Sequence, residues 1–188
     1  MRSLFLVSVS FFLSLSLSAQ PLFFSDTGEI SFFSSAPFED IDATSEEATG
    51  FLNLETGELR FRMPIKSFEF PNSLMQKHFN TQYMESDTYP NADFKGQITD
   101  TTQLNQLSTS PTEVPVSGQL TIRDITKTYE MTATLVREGE GYRGTTSFVV
   151  PLEAHDVKIP KLMFKAIAEE IEVKVNVHFM PYSKEENR

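Results

Sequence analysis

Histidine is the residue type in this chain best suited to acid–base or metal chemistry, and it occurs at positions 78, 155 and 178. The three are far apart in sequence, with no His-x-His or His-Glu-x-x-His spacing that would predict a metal site. The chain has no cysteine, no Gly-x-Ser-x-Gly motif and no glycine-rich phosphate loop. This pattern predicts a protein that is not an enzyme and that holds no metal or other resident cofactor.

Each histidine nevertheless has more than one interpretation. His78 stands in a helical stretch, where it could donate to a polar ligand head or pack and hydrogen-bond against the rest of the fold. His155, beside Asp156, could join a metal site only with partners that the sequence does not reveal. His178 alternates outward on the last predicted strand, so we expect it to be solvated.

Charged residues elsewhere favour surface roles. Arg60 and Arg62 alternate with apolar residues, so they point outward, where we expect them to pair with nearby acidic side chains. The cluster of Glu85, Ser86 and Asp87 comes just after the helical stretch. We expect it to form a solvated turn that ends the helix.

Strands must position these residues, because most of the chain alternates apolar and polar side chains with the period of a half-buried strand. Predicted strands cover residues 22–24 and 29–33 as one hairpin, 48–54 and 58–65 as a second, then 92–98, 114–122, 128–136, 142–150 and 171–179. Residues 68 and 70 extend the alternation of the strand before them, and residues 34–45, 99–111 and 153–164 are predicted connections. Eight or nine such strands, each with one apolar face, predict an antiparallel barrel with space for side chains or one small ligand.

The predicted interior is rich in phenylalanine and has glycines at inward positions. The chain contains 17 Phe, which argues for a large apolar interior. Gly96, Gly118 and Gly144 fall on inward-facing positions. An inward glycine marks either a sharp bend of the strand or space left for a ligand, and the sequence does not choose between them.

Residues 74–94 break the strand period. Apolar and aromatic residues come in groups about four apart, which places them on one face of a short helix. Asn72 is a suitable N-cap for that helix. Tyr89 precedes Pro90 and is therefore expected to close it, because a residue before proline disfavours the helical region. The sequence thus predicts one short helical insert in an all-β fold.

The ends of the chain and its charge bear on location. Residues 1–19 have the composition of a cleaved signal peptide, with Arg2 ahead of an apolar run at 4–17 that is too short to span a bilayer. Cleavage is expected after residue 18 or 19, leaving a domain at 20–180, a charged tail at 181–188 and a periplasmic or secreted protein.

Without cysteine there is neither a disulfide nor a lipid-modified anchor. The net charge of −10 argues against binding nucleic acid or anionic membrane surfaces.

Four stretches carry a resemblance to a known family: residues 67–80, which include Leu-Met-Gln-Lys-His-Phe-Asn, residues 83–96, residues 116–122 with 126–127, and the last strand. In these stretches the chain resembles the YceI-like family of exported, lipocalin-like proteins, and most of all its Bacteroidetes-type branch. It departs from the family at Arg123-Asp124-Ile125, where many members carry His-Gly-Val.

The resemblance implies an eight-stranded lipocalin-like barrel with a helix beside or over it and a long apolar tunnel. A polyprenyl or quinone-type lipid would lie inside. The residues that we predict to line the tunnel are Phe61, Met63, Leu74, Met75, His78, Phe79, Tyr83, Phe94, Leu120 and Phe148. The predicted partner is thus an apolar lipid, with no nucleic acid and no stable membrane anchor. The sequence leaves the oligomeric state open, with a dimer among the options.

Two functions follow from these expectations. The first is carriage or sequestration of a long apolar lipid held inside the barrel. The second is a periplasmic interaction or stress-response protein whose barrel is filled by its own Phe61, Phe94 and Phe148 and holds no ligand. A cavity or a solid core in the structure separates the two.

Overall fold

The computed structural model describes residues 22–35, 40–158 and 169–182. Eight antiparallel strands follow one another around a closed barrel in the order of the sequence, and β8 pairs with β1. The predicted fold class is therefore confirmed. The strands are β1 Leu22–Ser34, β2 Ile41–Asn53, β3 Glu58–Pro64, β4 Asn91–Ile98, β5 Thr112–Ile122, β6 Ile125–Glu138, β7 Gly141–Pro151 and β8 Glu170–Pro181.

The connections divide the barrel into two ends. At one end lie the C-terminal ends of β1, β3, β5 and β7, together with residues 65–90, and we call this the helical end. The opposite, distal end carries the connections that follow β2, β4 and β6, together with Leu22 and Pro181. A 3-10 helix, Thr101–Gln106, crosses the distal end and buries Leu104 there.

The helical insert comprises an α-helix, α1, at Ser73–His78 and a π-helical turn at Phe79–Tyr83. Asn72 caps it as predicted, because its side-chain oxygen accepts from the backbone N–H of Leu74 at 2.9 Å and of Met75 at 3.4 Å. The helix ends at Tyr83, earlier than the predicted stop at Tyr89 and Pro90. A turn at residues 84–89 takes up the difference.

The predicted first hairpin is wrong, because residues 22–34 form one continuous strand. The register with β2 shifts between Ser25 and Gly28 and again between Gly28 and Ile30, so the presumed turn is a bulge. A Cβ on Gly28 would lie 2.9 Å from Val177 and 3.1 Å from Ala48. The glycine therefore serves close packing inside the barrel and does not reverse the chain.

Three predicted connections contain more structure than expected. Strand β2 begins at Ile41, inside the predicted connection at 34–45. The Thr101–Gln106 helix lies inside the predicted loop at 99–111, capped by the side chain of Asp100. A further 3-10 helix, Leu152–His155, follows β7. The connection predicted at 153–164 continues beyond this helix, and its residues 159–164 lie outside the described part of the chain.

The strand predicted to continue through Phe68 and Phe70 is also wrong. After β3 the chain makes a 3-10 turn at Ile65–Ser67, and Glu69 then forms a single bridge to Thr44 of β2. The glutamate N–H donates to the threonine carbonyl at 2.8 Å, and the reverse bond measures 3.2 Å. The rings of Phe68 and Phe70 therefore leave the barrel wall and lie at its helical end.

The largest cluster of buried apolar side chains among the described residues lies at the distal end and includes Leu52, Ile98 and Val114, each fully buried. Smaller clusters lie at the helical end, around Phe32 and around Met84. Within the described residues, no helix combines the length and the hydropathy needed to cross a membrane. The predicted signal peptide and residues 183–188 of the predicted tail lie outside the described ranges, and Pro181 belongs to β8.

Candidate functional site

The barrel encloses a cavity of about 170 Å³, which we call the main cavity. Inward side chains from most of the strands line it, and they are almost wholly apolar. Its wall includes Phe32, Phe61, Met63, Phe94, Leu120 and Phe148. Such a lining can hold an apolar molecule by removing its surface from water, and it offers few polar partners.

The phenylalanines do not fill the barrel. Phe61 and Phe94 lie side by side, with ring centroids 6.5 Å apart. Phe148 lies instead against Tyr129, at 5.8 Å. The alternative of a barrel filled by these three rings therefore finds no support, because all three border the main cavity.

A second cavity, of about 250 Å³, lies at the helical end beneath the helical insert. Leu74, Met75, His78 and Tyr83 line it, and Leu74 is 57% exposed, so this cavity reaches the protein surface. The two cavities adjoin, because both are lined by Phe32, Phe79, Met84, Leu152, Val157 and Ile171. The two cavities are therefore neighbours, with these shared side chains between them.

Aromatic rings form the partition between the two cavities. Phe79 of the insert packs on Phe70 at 5.0 Å, on Phe32 at 5.5 Å and on Phe68 at 5.7 Å between ring centroids. Phe32 and Phe79 border both cavities, so their rings lie at the boundary between the two.

Every predicted lining residue faces one of these cavities. The main cavity is bordered by Phe61, Met63, Phe79, Phe94, Leu120 and Phe148, and the second cavity by Leu74, Met75, His78, Phe79 and Tyr83. His78 is half-buried there, on the last turn of α1. That any of these residues contacts a ligand stays a prediction.

His155 is the buried polar residue of the main cavity. Its Nδ1 lies 3.0 Å from the carbonyl oxygen of Ile125, which can only accept, so Nδ1 carries the proton. Nε2 is then the acceptor for the Tyr129 hydroxyl at 2.9 Å. Burial lowers the pKa of His155, while it raises the pKa of the Tyr129 phenol. The pair is thus neutral and internally satisfied.

This geometry leaves His155 without a free nitrogen for a metal. Among the described residues there is also no cluster of three His, Cys, Asp or Glu side chains that could hold one. The metal alternative for His155 and Asp156 therefore finds no support. The ring instead ties the Leu152–His155 helix to β6 and contributes to the wall of the main cavity.

Arg123 joins three connections at the helical end. Its guanidinium donates to the carboxylate of Glu85 and to the carbonyl oxygen of Asp156, and it lies 5.7 Å from the ring centroid of Tyr89. Glu85, Arg123 and Asp156 have positive φ angles of 47°, 49° and 53°, and Asp124 has one of 61°. Such backbone is costly for these residue types, and one side chain holds it together.

The remaining charged residues and the turn at 85–87 agree only in part with their predicted surface roles. Arg60 pairs with Glu58 at 2.6 Å and Arg62 with Asp93 at 2.8 Å on the outer surface, as predicted. The predicted solvated turn at 85–87 is wrong in part, because Ser86 is buried and its hydroxyl donates to Asn80 at 2.7 Å.

His178 is less solvated than expected. Its Nε2 is buried and lies 4.0 Å from a Glu138 carboxylate oxygen, although 40% of the side chain remains exposed. It lies on the outward face of β8, away from both cavities. It therefore takes no part in the candidate site.

Comparisons with known proteins bear directly on this cavity-bearing barrel. A family model for the YceI-like domain matches residues 24–179. The chain belongs to the YceI-like family. A comparison with curated protein sequences finds no significant match. The assignment to a Bacteroidetes-type branch stays a prediction.

Solved structures share the YceI-like fold at low sequence identity. A polyisoprenoid-binding domain from Saccharophagus degradans, implicated in plant cell wall breakdown, is 12% identical, with a TM-score of 0.75 over 87% of this chain and 100% of that one. BcnA of Burkholderia cenocepacia is 16% identical, with a TM-score of 0.66 over 80% and 95%. The YCEI protein of Campylobacter jejuni is 13% identical, with a TM-score of 0.55 over 98% and 100%.

Sequence reasoning missed two features of this YceI-like site. The Tyr129–His155 pair is separated by 26 residues, and no motif announces it. Arg123 falls between the strands predicted at 114–122 and 128–136, but its partners come from two distant connections. The departure of Arg123-Asp124-Ile125 from the family pattern was the one signal that pointed to this place.

Proposed function

We propose that this YceI-like protein binds a long apolar lipid of the isoprenoid type inside its barrel and so carries or sequesters it. The observation that carries the proposal is the apolar main cavity, which adjoins a second cavity that reaches the surface. The polyisoprenoid-binding description of the similar Saccharophagus degradans domain supports the ligand class. We also propose a non-catalytic role and a periplasmic or secreted location, supported by the composition of residues 1–19.

The physical basis is burial of hydrocarbon. Each methylene that leaves water for an apolar cavity contributes roughly 0.8 kcal/mol. The main cavity has hardly any polar groups to leave unsatisfied, since the nitrogen atoms of His155 are already bonded. A flexible hydrocarbon chain therefore suits this interior better than a compact polar molecule does.

The test uses native mass spectrometry of the protein purified from its own host and, after delipidation, with added polyprenyl alcohol or prenyl quinone. We expect a co-purified lipid and reloading at one chain per protein. The mass of the purified protein also reports whether cleavage follows residue 18 or 19. An empty barrel that takes up neither probe would contradict the proposal.

A pair of variants on β6 tests whether the interior is the site. Ala133 lines the main cavity, whereas the adjacent Thr132 is exposed on the outer face. Ala133→Phe should fill the lumen and weaken binding at least about tenfold, equivalent to about 1.4 kcal/mol. Thr132→Phe adds a ring of the same size outside and should bind as the wild type does. Equal effects of the two changes would place the ligand elsewhere.

A further inference from the structure

The paired inward glycines of β4 and β5 accommodate an aromatic ring. Gly96 and Gly118 stand opposite each other in the register. A Cβ on either glycine would come closer than 3.0 Å to ring carbons of Phe94. The ring therefore lies flat against the wall, over the two glycines. Neither a bend nor free space for a ligand accounts for this pair, because the ring of Phe94 already occupies the space.

The same arrangement recurs at two other phenylalanines. Gly50 stands opposite Phe61 in the register of β2 and β3, and a Cβ on it would lie 2.7 Å from that ring. A Cβ on Gly144 would lie 3.3 Å from the ring of Phe179. Inward glycines on four strands thus hold three rings against the wall.

The three rings form a continuous group, which we call the aromatic collar: Phe61, Phe94 and Phe179. Phe61 lies 6.5 Å from Phe94 and 5.8 Å from Phe179 between centroids. All three border the main cavity. They also pack against the distal cluster, whose members Leu52, Ile98 and Val114 are fully buried.

Beyond the collar lie the buried side chains of the distal cluster, of which Ile98 and Val114 also border the main cavity. Leu104 of the distal 3-10 helix is buried in the same cluster, so packed apolar side chains occupy this end of the described barrel. A chain that enters from the helical end must stop at or just past the collar. How far each ring lies from the barrel axis then decides how much chain the barrel can take.

We propose that the glycine niches and the aromatic collar set the longest lipid chain that the barrel accepts. The inference rests on the proposed function and adds its length selectivity. An added Cβ at Gly96 would push Phe94 toward the axis and shorten the usable cavity. Replacement of Phe94 by a smaller residue would lengthen it. The residues that set this length limit lie toward the distal end of the barrel, away from the helical insert.

Gly96→Ala is the most informative variant, because its new Cβ would press on the Phe94 ring while the nearest backbone atom lies 3.3 Å away. A Cβ on Gly118 would instead meet the backbone, at 2.7 Å from the Gly96 Cα. Phe94→Leu is its counterpart, and the double variant removes the ring that the new Cβ would displace. Phe51→Leu makes the same change on the outer face, where Phe51 is 36% exposed. Each is titrated with linear prenyl alcohols of increasing length.

For Gly96→Ala we expect at least tenfold weaker binding of the longest chains that the wild type accepts, and less than threefold change for the shortest. Phe94→Leu should shift the limit to longer chains, and the double variant should bind long chains better than Gly96→Ala does. Phe51→Leu should leave the profile unchanged.

The collar proposal alone is overturned if Gly96→Ala and Phe94→Leu keep the wild-type dependence of affinity on chain length. It is also overturned if their affinity falls equally for chains of all lengths. If Gly96→Ala does not fold, Phe94→Leu against Phe51→Leu decides by itself. A wild-type protein that binds no chain of any length overturns the proposed function on which the collar proposal rests.

Discussion

At the scale of single residues, His155 shows how a polar group is tolerated beside an apolar cavity. It has the wall of the main cavity on one side, and both of its ring nitrogens are bonded. The carbonyl of Ile125 fixes the tautomer, and the tautomer fixes the direction of the bond from Tyr129. A neutral, satisfied imidazole costs little to bury, whereas burial and the nearby charge of Lys127 both disfavour the charged form.

Protonation of His155 should therefore destabilise the fold. Burial lowers the pKa of this residue in the folded protein, and the nearby charge of Lys127 acts in the same direction. The unfolded chain binds the proton below about pH 6.5, while the folded chain resists it, so stability is lost as the pH falls through that value. Thermal unfolding between pH 7.5 and 5.5 should show this loss.

Substitutions at two of the three histidines, His155 and His78, control for this pH dependence. His155→Gln should flatten the pH profile between pH 7.5 and 5.5 even though it lowers stability throughout. His78→Gln, at the half-buried histidine of α1, should keep the slope of the wild type. An unchanged slope in His155→Gln would show that another group causes the effect.

At the scale of elements, sequence reasoning succeeded where one signal dominated. The strands from β4 to β8 were predicted within a few residues, because clean alternation and clear turn residues mark them. The N-cap at Asn72 was predicted for the same reason. The first hairpin failed because Gly28 has two uses, a turn or a bulge under close packing, and only Val177 and Ala48 across the barrel decide between them.

The helical insert depends on its cap. α1 has six residues, too few to be stable alone, and its N-terminal N–H groups rely on Asn72. Asn72→Ala should cost about 0.5–2 kcal/mol locally. Amide hydrogen exchange should accelerate at residues 73–83 and stay unchanged in the barrel strands. Ser73→Ala, one position later, is the matched control. Equal acceleration in both variants would mean that the cap does not hold the insert.

At the scale of the whole molecule, the alternation predicted a barrel, and the family resemblance predicted what it holds. Neither could distinguish a cavity from a filled core, since Phe61 and Phe94 are apolar and inward in both cases. The outcome depends on how each ring packs. The glycines at 50, 96, 118 and 144 draw rings to the wall, and such contacts between strands cannot be read along one strand.

The chain also offers an alternative place for an apolar ligand, on its outside. Phe24, Phe51 and Tyr182 form an aromatic group there, with centroids 4.8–6.4 Å apart. Phe51 and Tyr182 are 36% and 39% exposed, and neither borders the main cavity or the second cavity. A lipid that merely adheres to the protein would favour this outer group. The site of contact therefore distinguishes enclosed binding from adhesion.

Photo-crosslinking with a prenyl chain that carries a diazirine at its apolar end tests enclosed binding most directly. Peptide mapping should find adducts on residues that line the main cavity, such as Phe94, Leu120 and Phe148, and Ala133→Phe should abolish them. Adducts confined to the outer group around Phe51 and Tyr182, and unaffected by Ala133→Phe, would contradict the account.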